Sequence, residues 1–254
     1  MIFYKRPLPF RLISFDLDDT LYDNAPIMAR AEHEFADFLC DRYGLDPYAR
    51  DPLYWKIVKR TLCEEDASLL NDVTDLRALG LIRGFEILRR PLKGGLEEAY
   101  ALTDHFVKIR SDFEVPLAAR DLLSILKRHY PLAAVSNGNV DLQAIGLEGY
   151  FDYDLRPSRC GHRRKPHADL FHRLSSLTGV PVREILHVGD DPVTDVQGAV
   201  DAGVQCAFLM GGYVGNVMPF ERLTRVPTLG LDSLLELLNF TEYNLRQVKL
   251  PLRA

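Results

Sequence analysis

Ile13-Ser14-Phe15-Asp16-Leu17-Asp18-Asp19-Thr20-Leu21-Tyr22 is the stretch that decides the fold. An apolar strand runs into three carboxylates and a hydroxyl, where the chain must turn. Asp16 and Asp18 stand two residues apart, and residues i and i+2 of an extended segment project to the same side. Two acids therefore face one site, although like charges in close quarters repel. Fold stability does not ask for this. A divalent metal, a covalent carboxylate nucleophile, or both would. The plain alternative is an acidic turn closing a strand.

Downstream of residue 115 the pattern alternates. A helix over 117–129 leads to a strand over 132–136, and residues 150–155 read as another strand. A helix over 166–178, opened by Pro166, precedes a strand over 184–189. A helix over 194–202 leads to a strand over 205–209. Strands alternating with helices imply βαβ units and a parallel sheet, whose ligands bind beyond the carboxyl ends of the strands. Those ends carry Ser136-Asn137-Gly138-Asn139 and Gly189-Asp190-Asp191-Pro192-Val193-Thr194-Asp195. A hydroxyl, an amide and a turn glycine suit a phosphate group, though each also suits a simple turn. Asp190 beside Asp16 suits a hard cation with oxygen ligands, with Thr194 or Asp191 as a helix cap. Lys165, just before Pro166, would stabilise negative charge on the nucleophile and on a phosphate.

Between the first strand and residue 113 the periodicity is helical. Met28, Ala31, Phe35, Phe38 and Leu39 mark one helix, and Asp51-Pro52 opens a second through Trp55 and Val58. Thr74 is the candidate N-cap of a third, and Leu96, Ala99, Phe106, Ile109 and Phe113 mark a fourth. A block of this size is too large for a loop and reads as an inserted helical subdomain over 23–113, with 1–22 and 114–254 forming the core.

The chain has 254 residues and a net charge of -5, which argues against a nucleic-acid or membrane-surface binder. It contains no signal-peptide pattern and no apolar run long enough to span a membrane, so a cytoplasmic enzyme is expected. Cys40, Cys63, Cys160 and Cys206 are widely spaced and read as small buried or partly buried residues rather than a disulfide or zinc framework. His187, inside a strand, reads as a hydrogen-bonded core residue. Gly211-Gly212-Tyr213 reads as a loop at the sheet edge, residues 231–240 as a final amphipathic helix, and 241–254 as a loosely held tail. Arg156, Arg159, His162, Arg163, Arg164 and Lys165 form a basic run that is either a solvated loop or a steering surface for an anionic substrate.

Taken jointly, Asp16-Leu17-Asp18-Asp19-Thr20, Ser136, Lys165 and Gly189-Asp190 through Asp195 resemble, in order, the motifs of the haloacid dehalogenase (HAD) superfamily. The helical insert stands where that superfamily carries its C1 cap. The resemblance implies an α/β fold: a Rossmann-like three-layer core around a parallel sheet, with an all-helical C1 cap inserted. It implies an Mg²⁺-dependent phosphatase with Asp16 as the nucleophile that forms an aspartyl-phosphate. Asp18 would act as acid and then base. Asp16, the Asp18 backbone carbonyl and Asp190 would hold Mg²⁺. Ser136 and Asn137 would bind the phosphoryl oxygens, Lys165 would neutralise charge beside Asp16, and Asp195 and Asp191 would play supporting parts. The second acid, Asp18, favours a phosphatase or phosphomutase over a dehalogenase. Residues 15–24, 136–139, 146–151 and 185–191 are most similar to bacterial phosphatases of riboflavin synthesis. Those phosphatases act on 5-amino-6-(5-phospho-D-ribitylamino)uracil and on FMN. A small phosphorylated metabolite is thus the expected partner. Nucleotides, sugar phosphates, a mutase reaction and a non-catalytic phosphate-binding role stand as alternatives. Nothing in the sequence chooses between monomer and homodimer.

Overall fold

The apolar runs at the loop ends assemble into one sheet. The computed structural model describes residues 1–213 and 223–248. Its strands are β1 (Ile2–Phe3), β2 (Leu12–Phe15), β3 (Leu132–Val135), β4 (Tyr153–Leu155), β5 (Ile185–Gly189), β6 (Gln205–Leu209) and β7 (Leu229–Leu231). They lie in the order β1-β7-β6-β5-β2-β3-β4. All neighbours are parallel except β1 on β7. β2 is wholly buried, with Phe15 opposite Ala134 on one side and Val188 on the other. The chain builds outward from β2 in both directions, so the crevice beyond its carboxyl end is the topological switch point.

Alternation along the strands sends successive side chains to opposite faces. Ile13 and Phe15 join Leu122, Leu126, Leu237 and Phe240 of α5 (Leu117–Lys127) and α8 (Glu236–Val248). Leu12 and Val135 join Leu170, Phe171 and Leu174 of α6 (Asp169–Thr178). Helices thus cover both faces, giving the three-layer α/β fold expected from the sequence. The turn Pro192–Gln197 is π-helical rather than α-helical and passes into α7 (Gly198–Asp201), with Asp191 as its cap.

The helices α1 (Asn24–Tyr43), α2 (Pro52–Glu65), α3 (Val73–Ile87) and α4 (Gly95–Arg110) share a separate core that includes Phe35, Leu39, Trp55, Phe85 and Phe106. Asp23, Asp51 and Asp72 cap α1, α2 and α3 by accepting from main-chain N–H groups in the first turn. The cap of α3 is therefore Asp72 and not Thr74: the carboxylate of Asp72 reaches two amides, those of Thr74 and Asp75.

Several boundaries differ from expectation. The helix expected over 231–240 begins only at Glu236, because Leu231 ends strand β7, which completes the sheet beyond β6. The expected loose tail is helical as far as Val248, while residues 249–254 lie outside those described. Asn244 explains the docking: its buried amide accepts from Phe10 N (3.1 Å) and donates to Phe10 O (2.9 Å). Helix α6 starts three residues after Pro166, at Asp169, and β4 spans only the end of 150–155. Gly212 and Tyr213 are not at the sheet edge: they follow β6, an interior strand, and the edges are β1 and β4. Instead Tyr213 N donates to Asp19 O (2.6 Å), folding this turn back against the acidic loop after β2. Cys160 is exposed, whereas Cys40 and Cys206 are buried and Cys63 half-buried. No helix among the described residues is long and apolar enough to cross a membrane.

Candidate active site

The crevice beyond β2 gathers the acids of the sequence motif. Asp16 follows the last strand residue and is fixed by its main-chain N–H, which donates to Val188 O (2.9 Å). Asp19 takes a left-handed conformation (φ 59°), tolerated by an aspartate, and its Oδ1 accepts from Asn24 N (2.9 Å). That turn sends the chain from the sheet into α1.

Lys165 is fully buried between two carboxylates. Its Nζ lies 2.6 Å from Asp195 Oδ1 and 3.2 Å from Asp16 Oδ1. Burial opposes its charge, but the two acids outweigh burial and raise its pKa. Asn137 holds the Lys165 backbone from both sides, accepting from Lys165 N (2.9 Å) and donating to Lys165 O (3.0 Å). Asp195 accepts in addition from Asp191 N (2.9 Å) and contacts His187 Nε2 (3.1 Å), whose Nδ1 meets Ser14 Oγ (2.9 Å). Burial works against the charge of Asp195, yet Lys165 and His187 hold its pKa below the ordinary value. Burial pushes the His187 pKa down. His187 is thus a hydrogen-bonded core residue, as expected, and it also braces the site from below. Gly189 leaves room for Asp195, whose carboxyl group would collide with any Cβ there.

Oxygen atoms of Asp16, Asp190 and Asp195 lie within 4.8 Å of one another. Burial, against the pull of Lys165 and helped by Asp195 and Asp18, raises Asp16 to about 7, and burial with the Asp195 and Asp16 charges raises Asp190 to about 8. Asp190 is steadied by Thr20, whose hydroxyl donates to its Oδ1 (2.8 Å). Asp16 Oδ1 is buried and faces the Lys165 ammonium at 3.2 Å. A crowded set of carboxylates that resists ionisation fits a hard divalent cation. Because Asp195 already serves Lys165, His187 and Asp191, Asp16 and Asp190 are the carboxylates free to hold one.

The Asp18 side chain has partners of its own. Its Oδ1 accepts from Tyr22 OH (2.7 Å) and from Arg110 Nη2 (2.8 Å), the latter arriving from the end of α4. Gly138 permits this, since a Cβ there would sit 2.5 Å from Asp18 Oδ2. Arg110 also donates to Asn139 Oδ1 (3.1 Å). Ser136 is buried at the end of β3, its Oγ accepting from Gly138 N (3.2 Å).

The structure therefore brings Asp16, Lys165, Asp190 and Asp195 into contact and places Asp18, Ser136, Asn137 and Asp191 on adjoining loops. Thr20, Tyr22, Arg110 and His187 support them, and the sequence reading assigned them no part in the site. Thr20 and Tyr22 sat in the quoted stretch, whereas Arg110 carried no local signal, being 92 positions from its partner.

The basic run resolves differently from a steering surface. Arg156 pairs with Asp154, Arg159 with Asp66 and Arg163 with Asp169. Arg164 N donates to Asn71 Oδ1 (3.0 Å). Most of this loop's charge is answered locally, and Arg159 and Arg164 tie it to the turn before α3.

The chain is similar to known proteins along almost its whole length. A family model described as haloacid dehalogenase-like hydrolase matches residues 10–203. The 5-amino-6-(5-phospho-D-ribitylamino)uracil phosphatase YigB of Escherichia coli (strain K12) is 32% identical over 237 residues, covering 90% of this chain and 98% of the relative. A glyceraldehyde 3-phosphate phosphatase of Pyrococcus furiosus is 26% identical, covering 90% and 92%. The crystal structure of a 2-haloacid dehalogenase from Pseudomonas syringae pv. Tomato DC3000 superposes with a TM-score of 0.77 at 26% identity, covering 92% and 99%.

Proposed function

This chain belongs to the haloacid dehalogenase-like hydrolases, and from that premise we propose how it works as a phosphoric monoester hydrolase, with Asp16 as the nucleophile. The observation that carries the reading is the meeting, at the end of β2, of Asp16 with a buried ammonium and a second metal-competent acid, Asp190. In the first step an Asp16 oxygen bonds to phosphorus as the ester P–O bond breaks, and Asp18 gives its proton to the departing alkoxide. In the second step Asp18, now a carboxylate, takes a proton from water. That water attacks phosphorus, and Asp16 and inorganic phosphate separate. Ser136 Oγ and the Asn137 main-chain amide bind phosphoryl oxygens, while the Asn137 side chain fixes Lys165. Asp195 orients Lys165, and Asp191 shapes the turn that presents it. The Asp16 and Asp190 carboxylates, with the Asp18 main-chain carbonyl, hold Mg²⁺, which when bound screens the charge of the phosphoryl group. Residues 23–113 act as the cap over this site, and 1–22 with 114–254 as the core.

The substrate is a small phosphorylated metabolite. The relative from E. coli supports 5-amino-6-(5-phospho-D-ribitylamino)uracil as the first candidate, and the motif resemblance adds FMN and a place in riboflavin metabolism. The archaeal relative supports a sugar-phosphate phosphatase as the second reading. A screen of metabolite phosphates with and without Mg²⁺, measuring free phosphate, tests both. Isomerised sugar phosphate without phosphate release would mean a mutase, and no turnover at all would end the enzymatic reading.

Asp18→Asn is expected to lower kcat by roughly 10²–10⁴-fold, the range for loss of a positioned acid and base. Steady-state rates on alkyl phosphates check this, and an unchanged kcat would remove Asp18 from the reaction.

The acids also predict a pH dependence. In the cation-free protein Asp16 keeps its proton up to about pH 7 and Asp190 up to about 8, against ordinary values of 3.8. The folded state binds more protons than the unfolded state between those limits, so stability falls as pH rises through that window. Chelated protein should lose melting temperature from about pH 4 to 8, most steeply between about pH 5 and 6.5, where both acids are protonated only in the folded state, and should level off above about pH 8. Mg²⁺ at a hundred times its Kd should restore about 2.7 kcal/mol. Coincident melting profiles with Mg²⁺ and with chelator would contradict a cation at these residues.

A further inference from the structure

A cavity of about 510 Å³ lies between the helices α1–α4 and the loop after β3. Asp18, Arg110 and Gly138 line it on the side of the catalytic crevice, and Met28, Leu76 and Phe106 supply apolar wall. Its size is that of a pocket for a small metabolite. The unexpected part is its charge. Glu32, Lys59 and Arg77, from three different helices, also line it.

One buried carboxylate here serves two cations. Arg77 Nη2 donates to Glu32 Oε1 (2.9 Å) and Lys59 Nζ donates to the same oxygen (3.2 Å). Arg77 is further anchored by its guanidinium, 3.2 Å over the Phe106 ring. Burial, with the Arg77 charge beside it, lowers Lys59 to about 8. Arg110, itself buried, has an Nε with no hydrogen-bond partner. Of the four lining cations Arg60 is exposed and lies 3.8 Å from Glu64, which leaves Lys59, Arg77 and Arg110 against two carboxylates, Asp18 and Glu32. An ion pair alone would tie the helices together, but an excess of buried positive charge is destabilising without a further acceptor.

We propose that this cavity binds the alcohol half of the substrate and that Lys59, positioned by Glu32, selects leaving groups bearing acceptor-only oxygens. A carboxylate or the carbonyl oxygens of a conjugated ring would satisfy it, and a plain alkyl or phenyl group would not. The proposal rests on the phosphatase reading above, since it is Asp18 that places the leaving oxygen at the cavity mouth. It extends that reading from the phosphoryl group to the part of the substrate that leaves.

Phosphonates, which bind without turning over, separate the two claims. Calorimetry with Mg²⁺ present would compare 4-carboxybenzylphosphonate with benzylphosphonate. A second comparison, the non-hydrolysable 5′-phosphonate analogues of uridine 5′-monophosphate and of ribose 5-phosphate, asks whether ring carbonyls serve in place of a carboxylate. The intact protein should favour the acceptor-bearing member of at least one pair by roughly ten- to a hundredfold, the worth of a hydrogen bond to a charged group. Lys59→Met should bring that member level with its partner, and Lys59→Arg should retain the preference. Equal affinity within both pairs in the intact protein would overturn the proposal, as would a preference that survives Lys59→Met. Selective binding by a protein that hydrolyses no phosphate ester would uphold the cavity's role and defeat the phosphatase reading. Turnover with equal binding would do the reverse.

Discussion

Asp16→Asn should abolish phosphatase activity, by at least roughly 10⁴-fold in kcat, as expected when a nucleophile is removed. The same substitution should not unfold the protein. Asp16 is a buried acid whose neighbours Asp195 and Asp18 disfavour its charge, and Lys165 offsets only part of that. Asparagine keeps the shape, loses the repulsion, and leaves Lys165 paired to Asp195 at 2.6 Å. In chelator above pH 7 the variant should therefore melt no lower than the parent chain. Loss of activity with retained or raised melting temperature assigns Asp16 to the chemistry. Loss of both would mean that the residue is structural.

Lys165→Met should damage both stability and activity. Methionine matches the stem but removes the ammonium, leaving Asp195 fully buried with no cation beside it. Breaking a buried pair on one side costs about 3–5 kcal/mol, which for a chain of this size is on the order of 10 °C in Tm. Adding Asp195→Asn to Lys165→Met should recover part of the stability, because the stranded charge is then gone. It should not recover activity, because Asp16 and the phosphoryl group still lack the cation. Thermal melts and phosphate release on the two variants check this. A double variant as unstable as the single one would show that the pair contributes packing rather than charge.

The acids of the site were legible because each stands where a buried strand meets a turn. Asp16 follows β2 and Asp190 follows β5, and parallel pairing of those strands with Phe15 opposite Val188 brings them together. The three-layer core was legible from the same alternation. What escaped was set by contacts between distant positions. Arg110 reaches Asp18 across 92 positions and Arg159 reaches Asp66 across 93, and no local pattern announces either. The basic run read equally as a solvated loop or a steering surface, and three of its arginines are paired with carboxylates. Strand β7 escaped because it is three residues long and opens an apolar run that α8 continues, so periodicity merged the two. Glu32, Lys59 and Arg77 escaped because charges on separate helices read as solvated faces until the helices pack.

The phosphoryl group itself gives the most direct test of Asp16. Protein mixed with a phosphate monoester and Mg²⁺, quenched in acid during turnover and digested, would be examined by mass spectrometry. A phosphoryl addition on the peptide carrying Asp16, absent when Asp16→Asn is treated alike, is the expected result. Turnover under those conditions with no modified peptide, or with the addition on another residue, would contradict it.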